Sequence, residues 1–226
     1  MPNSLVALIP AYNAQDTLGG VLESLAEFSL PVLVVNDGSG DRTEEIARAG
    51  QPLEVLSHPQ NRGKGAALLT GMRAARKLGF EHVLTLDADG QHPVESIPEF
   101  LIRCSNHPDA ILVGNRFADR TIGEMPWVRR LSNGLSSRLI SWAAGKNIPD
   151  AQCGMRVYPI EKTLALDLES EGYALESEVL VKAGRRGIPV VNVPIACHYP
   201  EGTSTSGYRA FVDSWRIAKI VVRSLR

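Results

Sequence analysis

The first half of the chain alternates short apolar runs with stretches of helical character, and this alternation restricts its fold more than any other feature. The apolar runs are long enough for buried strands, and several are rich in β-branched residues. The stretches between them repeat apolar residues at helical spacing or open with acidic residues. The predicted strands are 6–9, 32–35, 53–56, 82–86 and 111–113, and the predicted helices are 16–28, 41–48 and 65–78. This order predicts an α/β fold with a mainly parallel central sheet flanked by helices.

The second half of the chain continues without a break in composition. After residue 115 the regular alternation fades, and the further predicted elements are helices at 125–144, 172–186 and 208–225 and a strand at 190–195. No linker rich in Ser, Gly or Pro separates the two halves, and the sequence contains no internal repeat. We therefore predict one domain that spans residues 1–226.

Charge and cysteine content exclude several classes of protein. The chain has 24 Lys and Arg residues against 25 Asp and Glu residues, so no global field recruits nucleic acid. Cys104, Cys153 and Cys197 are far apart in sequence, which argues against disulfides and against a zinc site. The N-terminus has no basic region, and no apolar run is long enough for a membrane span. We expect a cytoplasmic protein that is soluble or peripheral on the inner face of the membrane.

Polar motifs follow the first four predicted strands. Because the carboxyl ends of parallel strands meet at one edge of a sheet, we expect these motifs to lie close together. They are Pro10-Ala11-Tyr12-Asn13, Asn36-Asp37-Gly38-Ser39-Gly40-Asp41, Asn61-Arg62-Gly63-Lys64-Gly65 and Asp87-Ala88-Asp89-Gly90. The sequence therefore predicts a polar ligand site at this edge.

The most informative of these motifs is Asp87-Ala88-Asp89. In an extended backbone, residues two apart point the same way, so the two carboxylates repel each other unless a cation lies between them. Mg²⁺ or Mn²⁺ suits such oxygen ligands and leaves coordination positions open for phosphate. The alternative is a turn in which Asp87 and Asp89 hydrogen-bond their own loop.

The other motifs suit a nucleotide. Asp37 is suited to a nucleobase N–H or a ribose hydroxyl, and Tyr12 to the face of a base. Arg62 and Lys64 precede a helix, where cations and backbone N–H groups favour phosphate, although the spacing is not that of a Walker A loop. The alternatives are that Asp37 organises a sharp turn and that the basic loop is merely solvated.

Two arginines and the histidines complete the set of candidate residues. Arg116 and Arg156 each follow a Gly-containing turn, and a guanidinium suits bidentate contact with phosphate; the alternative is a surface ion pair. The histidines show no metal-ligand spacing and are interpreted as structural or solvent-facing; they are His58, His82, His92, His107 and His198.

Together, these motifs resemble those of the family 2 inverting glycosyltransferases, in particular the dolichol-phosphate mannose synthase-like and undecaprenyl-phosphate sugar transferase-like branch. Their order and spacing match over roughly residues 5–197. The motifs that carry the resemblance are Ile9-Pro10-Ala11-Tyr12-Asn13, Val35-Asn36-Asp37-Gly38-Ser39, Asn61-Arg62-Gly63-Lys64-Gly65, Asp87-Ala88-Asp89-Gly90-Gln91-His92-Pro93, Gly114-Asn115-Arg116, Cys153-Gly154-Met155-Arg156 and Glu176-Ser177-Glu178.

The resemblance implies a GT-A fold, which is Rossmann-like, and a nucleoside-diphosphate sugar as donor. It implies that residues 1–114 bind the nucleotide sugar and that residues 115–226 bind the acceptor. In its terms Pro10, Ala11, Tyr12 and Asp37 hold the nucleoside, Asp87, Asp89 and Gln91 hold Mg²⁺ or Mn²⁺ with the diphosphate, and Arg116 and Arg156 face the transferred or acceptor phosphate. Asn13 and Ala88 belong to the same motifs and complete the predicted nucleotide-sugar site. The family's usual Glu after Tyr-Asn is Ala14-Gln15 here, so no nucleoside contact is assigned to it.

An inverting transfer needs a stabilised leaving group and an activated acceptor. The cation stabilises the leaving diphosphate, and Arg62 or Lys64 assists. A hydroxyl acceptor also needs a general base, whereas a phosphate acceptor is already ionised. The candidate bases are Asp150, Glu176 and Glu178, of which Asp150 is favoured because it lies just before the Cys-Gly-Met-Arg turn.

The expected acceptor is a polyprenyl phosphate or another lipid, approached from the membrane surface. Residues 208–226 mix apolar and basic residues with a single acid, Asp213, which suits a helix lying among lipid headgroups. Trp127, Arg129 and Arg130 add a second aromatic and basic patch. The alternatives are a C-terminal helix packed on the core, a hydroxyl acceptor on a saccharide or glycolipid, a sugar nucleotidyltransferase, and a non-catalytic binding protein.

Overall fold

The computed structural model describes residues 5–118, 127–170 and 172–196, and for 127–129 the backbone alone. Its strands are β1 Leu5–Ala11, β2 Val32–Asn36, β3 Glu54–Ser57, β4 His82–Thr85, β5 Ile111–Asn115, β6 Arg156–Pro159 and β7 Val190–Pro194. Its α-helices are α1 Leu18–Ala26, α2 Thr43–Ala49, α3 Lys64–Lys77, α4 Ile97–Asn106, α5 Trp127–Ala144, α6 Ile160–Leu164 and α7 Ala174–Arg185. The predicted helix at 208–225 and Cys197 lie outside these ranges.

The seven strands form one sheet in the order β3-β2-β1-β4-β6-β5-β7. Strand β6 runs antiparallel to β4 and β5, and all other neighbours are parallel. The predicted α/β fold with a mainly parallel sheet is therefore confirmed. Every strand predicted from the sequence is present, whereas β6, α4 and α6 were not predicted.

The sheet is buried on both faces. Along β1, Val6 and Leu8 belong to the apolar core on one face, and Ala7 and Ile9 belong to the core on the other. This follows from the alternation of side chains along a strand. Helix α1 packs its apolar stripe on the second core, and α3 and α7 cover the first. The charged loops are consequently left to the edges of the sheet.

Strand β6 brings the second half of the chain into the middle of the sheet. It pairs with β4 so that Thr85 lies opposite Arg156. The Thr85 hydroxyl donates a hydrogen bond to the Gly154 carbonyl at 2.8 Å. The turn before β6 therefore lies beside the end of β4, where Asp87 follows. Among the described helices, none is long and apolar enough to cross a membrane.

Candidate active site

The loops after β1 and β2 are tied together at the carboxyl edge of the sheet. The Asn13 N–H donates to Ser39 Oγ at 3.0 Å, and the Gly40 N–H donates to Asn13 Oδ1 at 2.9 Å. Ala11 is buried, whereas the Tyr12 ring is 51% exposed. Of the residues predicted to hold a nucleoside on this loop, Tyr12 thus has a face open to a ligand, and Asn13 joins the two loops.

Asp37 is a buried residue that organises the basic loop after β3. Its Oδ1 accepts hydrogen bonds from His58 Nδ1 at 2.6 Å and from the Arg62 N–H at 2.9 Å. Its Oδ2 accepts one from the Gly63 N–H at 2.7 Å. Both oxygens thus organise the protein's own loops, and the direct contact of Asp37 with the nucleoside stays a prediction.

Lys64 lies between two carboxylates. Its Nζ is 2.5 Å from Asp87 Oδ1 and 3.1 Å from Glu176 Oε2, and it lies over the Tyr173 ring at 5.6 Å from the centroid. Burial lowers the pKa of Lys64, but the two carboxylates outweigh burial and raise it. Lys64 is thus a counterion of Asp87, not the solvated loop cation of the alternative interpretation, while the Arg62 side chain is exposed.

The backbone approach that places Lys64 depends on a glycine. A Cβ atom at Gly65 would lie 2.8 Å from the Gly172 carbonyl oxygen and 2.9 Å from Leu175 Cβ. No side chain fits at such distances, so the start of α3 packs directly against the start of α7. This contact brings Lys64 and Glu176 together although they are distant in sequence.

Asp87 and Asp89 lie in the turn after β4 and differ in their surroundings. Burial raises the pKa of Asp87, but Lys64 beside it lowers the pKa to about 2, so the carboxylate is ionised at neutral pH. Asp89 Oδ1 accepts a hydrogen bond from the Gln91 N–H at 3.0 Å. The Ala88 carbonyl accepts one from Thr17 Oγ1 at 2.6 Å, which fixes the turn against the start of α1.

His92 belongs to the site, although the sequence interpretation set it aside. Its Nδ1 accepts a hydrogen bond from the Asp87 N–H at 3.0 Å, so in the neutral ring Nε2 carries the proton. Nε2 lies 3.6 Å from Asp87 Oδ2, too far for a hydrogen bond. Burial lowers the pKa of His92, and the neighbouring carboxylates do not offset this.

The oxygen atoms of this turn fit a hard divalent cation that is shared with a ligand. The carboxylates of Asp87 and Asp89 and the Gln91 amide are the donors that Mg²⁺ and Mn²⁺ prefer. Among the described residues, no group of three or more His, Cys, Asp or Glu side chains is arranged to hold a metal ion. Further ligands would therefore come from phosphate oxygens and water.

The turn before β6 leaves room for these carboxylates because it contains a glycine. A Cβ atom at Gly154 would lie 2.5 Å from Asp87 Oδ2 and 3.0 Å from His92 Cε1. The glycine therefore allows the polypeptide to pass directly beside Asp87. Neither Gly154 nor Tyr173 was predicted to shape the site from the sequence.

Buried Asp150 pairs with Arg116, whose side chain is 19% exposed. Asp150 is 0% exposed, and its oxygens accept hydrogen bonds from Arg116 Nε at 2.7 Å, Arg116 Nη2 at 2.9 Å and the Arg116 N–H at 3.1 Å. A carboxylate so enclosed cannot take a proton from an acceptor. The prediction that Asp150 is the favoured base is therefore wrong, and the acceptor-phosphate role of Arg116 stays a prediction.

Arg156 is also a structural residue. It is 1% exposed, and its guanidinium donates to the carbonyls of Cys153, Ala151 and Glu176 at 2.7, 2.7 and 2.9 Å, respectively. These partners leave the guanidinium enclosed by main chain. The prediction that Arg156 faces a phosphate is therefore wrong; it ties the turn before β6 to the start of α7.

Glu178 and Glu176 have different surroundings. Glu178 accepts hydrogen bonds from the N–H groups of Glu169 and Ser170. Its Oε1 forms an ion pair with Lys182 Nζ at 2.7 Å. Burial raises the pKa of Glu178, but these partners outweigh burial and lower it. Glu178 is thus a loop anchor, and its prediction as a base is wrong. Glu176 borders the site through Lys64.

The mainly parallel sheet, with acidic and basic loops gathered at the carboxyl ends of its strands, has the architecture of the GT-A fold. The fold is similar to that of glucosyl-3-phosphoglycerate synthase from Mycobacterium tuberculosis, whose crystal structure was determined in complex with Mn²⁺, UDP and phosphoglyceric acid. The TM-score is 0.69 at 18% identity, over 98% of this chain and 77% of that chain. The likeness confirms the predicted fold.

The chain belongs to glycosyl transferase family 2, whose model matches residues 6–163. The dolichyl-phosphate hexose transferase of Haloferax volcanii is 30% identical over 98% of this chain and 93% of that protein. The undecaprenyl-phosphate mannosyltransferase of Micrococcus luteus is 30% identical over 84% of this chain and 82% of that protein. The predicted family membership and glycosyltransferase activity are thereby confirmed.

Proposed function

We propose that this protein transfers a sugar from a nucleoside-diphosphate sugar to a polyprenyl phosphate, with inversion at the anomeric carbon and with Mg²⁺ or Mn²⁺ as cofactor. The observation that carries the proposal is the enclosure of the candidate bases. Asp150 and Glu178 are fully engaged inside the protein, and Glu176 is paired with Lys64. An acceptor that arrives ionised needs none of them, and a phosphate monoester is such an acceptor.

The relatives support the same acceptor class. Two of them are named for transfer to dolichyl phosphate and undecaprenyl phosphate. The structural neighbour was crystallised with Mn²⁺ and UDP, which supports a nucleoside diphosphate and a divalent cation as ligands. We assign residues 1–114 mainly to the nucleotide sugar and residues 115–226 mainly to the acceptor, with β6 joining the halves within one sheet.

Each residue at the turn after β4 has a distinct task in this proposal. Asp87 and Asp89 hold the cation, which when bound neutralises charge on the departing diphosphate. Lys64 keeps Asp87 ionised and oriented, and the Asp87 N–H fixes the His92 ring beside it. Tyr12 covers the base from the loop after β1. Arg116, held by Asp150, faces the acceptor phosphate.

We predict that the protein glycosylates a polyprenyl phosphate and leaves saccharide hydroxyls unmodified. The purified protein is incubated with Mg²⁺ or Mn²⁺, UDP- and GDP-sugars, and either undecaprenyl phosphate or soluble saccharides, and products are identified by mass spectrometry. Sugar transferred to the phosphate supports the proposal. Transfer to a hydroxyl acceptor alone, or synthesis of a nucleotide sugar from a nucleoside triphosphate and a sugar phosphate, contradicts it.

A membrane acceptor requires a surface that meets the bilayer, and α5 supplies one. Leu131, Leu135 and Trp142 are 68%, 68% and 66% exposed and recur at intervals of four and seven, so they lie on one side of the helix. Arg138 is exposed on the same side, and α5 contains no acidic residue. We refer to Leu131, Leu135 and Trp142 as the α5 stripe. An apolar stripe with cations and no acids suits anionic lipid headgroups.

The helix that carries the α5 stripe packs on the proposed acceptor side through its buried face. The Ala151 N–H donates a hydrogen bond to Ser137 Oγ at 2.9 Å, so α5 contacts the turn that carries Asp150, the partner of Arg116. The sequence predicted the helix, and the structure adds that these three apolar side chains are exposed. A bilayer that meets the stripe would thus lie about one helix diameter, roughly 10 Å, from this turn.

We predict that replacing all three residues of the α5 stripe with Gln weakens binding to vesicles that contain anionic phospholipid by more than about tenfold, because the apolar contact is removed. Vesicle flotation measures the bound fraction. Ile102→Gln is the matched control, since Ile102 is an exposed apolar residue on α4. Equal binding of the triple variant and the control would contradict the assignment, and a change in oligomeric state would assign the stripe to a protein interface.

A further inference from the structure

Glu176 carries an unsatisfied acceptor at the edge of the site. The residue is 7% exposed, and its Oε1 is buried without a hydrogen-bond partner among the described residues. Its other oxygen, Oε2, is held by Lys64 Nζ at 3.1 Å. A buried acceptor of this kind is unfavourable unless a ligand or water supplies a donor.

The other buried polar atoms without partners in the described ranges are of a different kind. They are His82 Nδ1, Thr163 Oγ1 and Asn192 Oδ1. None of these atoms belongs to a charged side chain that is paired with Lys64. Glu176 therefore differs from them, because its unsatisfied oxygen belongs to a carboxylate that shares the Lys64 ammonium with Asp87.

The position of Glu176 relative to the proposed diphosphate site is fixed by Lys64. The ammonium bridges Asp87 Oδ1 at 2.5 Å and Glu176 Oε2 at 3.1 Å, so the two carboxylates lie on either side of one nitrogen. Tyr173, which lies over Lys64, is partly exposed and borders the same place. On the proposed function, the diphosphate lies at Asp87, and Glu176 is the carboxylate that shares Lys64 with it.

We propose that Glu176 Oε1 accepts a hydrogen bond from a hydroxyl of the transferred sugar, so that Glu176 is a specificity-determining residue for the donor. The inference rests on the proposed function, since the sugar is the group attached to the distal phosphate. The carboxylate that pairs with Lys64 accepts hydrogen bonds, so the partner of its second oxygen must be a donor such as a sugar hydroxyl. A buried acceptor also discriminates against sugars that lack the matching hydroxyl, because it is then left unpaired.

The test separates binding of the sugar from binding of the diphosphate. UDP, GDP, UDP-glucose and GDP-mannose are titrated calorimetrically with Mg²⁺ into wild type, Glu176→Ala and Glu176→Gln. We expect Glu176→Ala to lower the affinity for the nucleotide sugar roughly 10- to 100-fold. The affinity for the matching nucleoside diphosphate should change less than about threefold. Glu176→Gln keeps the side-chain shape and one acceptor oxygen, so its affinity for the nucleotide sugar is expected to lie between those of wild type and Glu176→Ala.

Controls separate this contact from a merely structural role. Glu169→Ala, at an exposed carboxylate before α7, should match wild type in both titrations. Deoxy-sugar nucleotides provide a second measurement, since one of them should bind wild type as weakly as it binds Glu176→Ala. Equal losses for nucleotide sugar and nucleoside diphosphate would overturn the inference and make Glu176 only a support for Lys64. Wild type that binds no nucleoside diphosphate would overturn the proposed function itself.

Discussion

Replacing Asp89 with alanine is expected to lower the rate of sugar transfer by about 10²–10³ while the protein stays folded. Asp89 is partly exposed in the turn after β4, and its Oδ1 accepts only a local hydrogen bond from the Gln91 N–H. The substitution therefore removes a proposed ligand of the cation and leaves the contacts of the apolar core unchanged. Steady-state rates with saturating Mg²⁺ or Mn²⁺ measure the loss, and circular dichroism measures folding.

The matched control for Asp89→Ala is Asp109→Ala. Asp109 is an exposed aspartate that pairs with Lys162 on the surface. It lies before the amino end of β5, whereas the proposed site lies at the carboxyl ends of the strands. The control should retain wild-type activity. Removal of divalent cations by EDTA should abolish transfer in wild type, and added Mg²⁺ or Mn²⁺ should restore it. Unchanged transfer in EDTA, or wild-type rates for Asp89→Ala, would remove the cation from the proposed mechanism.

Replacing Arg116 with methionine is expected to lower the free energy of unfolding by about 3–5 kcal/mol. The substitution keeps much of the side-chain volume and the backbone N–H bond to Asp150 but removes both guanidinium bonds. Asp150 is 0% exposed, so its carboxylate is left buried without a compensating cation. Urea unfolding with an unchanged m-value measures the effect.

Arg103→Met is the control for Arg116→Met. Arg103 pairs with Glu99 on the surface of α4, one turn away along the helix, with both side chains well exposed. Such a pair contributes roughly 0.3–0.5 kcal/mol. The contrast between the two arginines therefore tests burial, not charge. A loss at Arg116 no larger than that at Arg103 would show that the Asp150 pair does not stabilise the fold.

The sheet was predictable because most of its strands are short apolar runs, a pattern that depends on local sequence alone, and β1, β4 and β5 are almost fully buried. Strand β6 was not predicted, since its four residues, Arg156 to Pro159, begin with an arginine and end with a proline. Its place between β4 and β5 is set by pairing with strands distant in the chain. The arginine is buried only because main-chain carbonyls surround it.

The candidate site was predicted in part. The sequence placed the charged motifs at one edge of the sheet, since parallel strands share that edge. It did not distinguish charged residues that face a ligand from those enclosed by the protein, because the partners of Asp37 and Asp150 are many residues away. His92 was missed although its partner Asp87 is only five residues away and its position three residues after Asp89 was a usable signal.

The hydrogen bond from Arg156 to the Glu176 carbonyl gives the backbone of residue 176 a support that does not involve its side chain. The guanidinium holds the backbone at the start of α7, whereas the Glu176 side chain points to Lys64. A substitution at Glu176 thus leaves the main-chain anchor in place. On the proposed function, single substitutions at this position are expected to change the preferred sugar while the backbone of the site keeps its place.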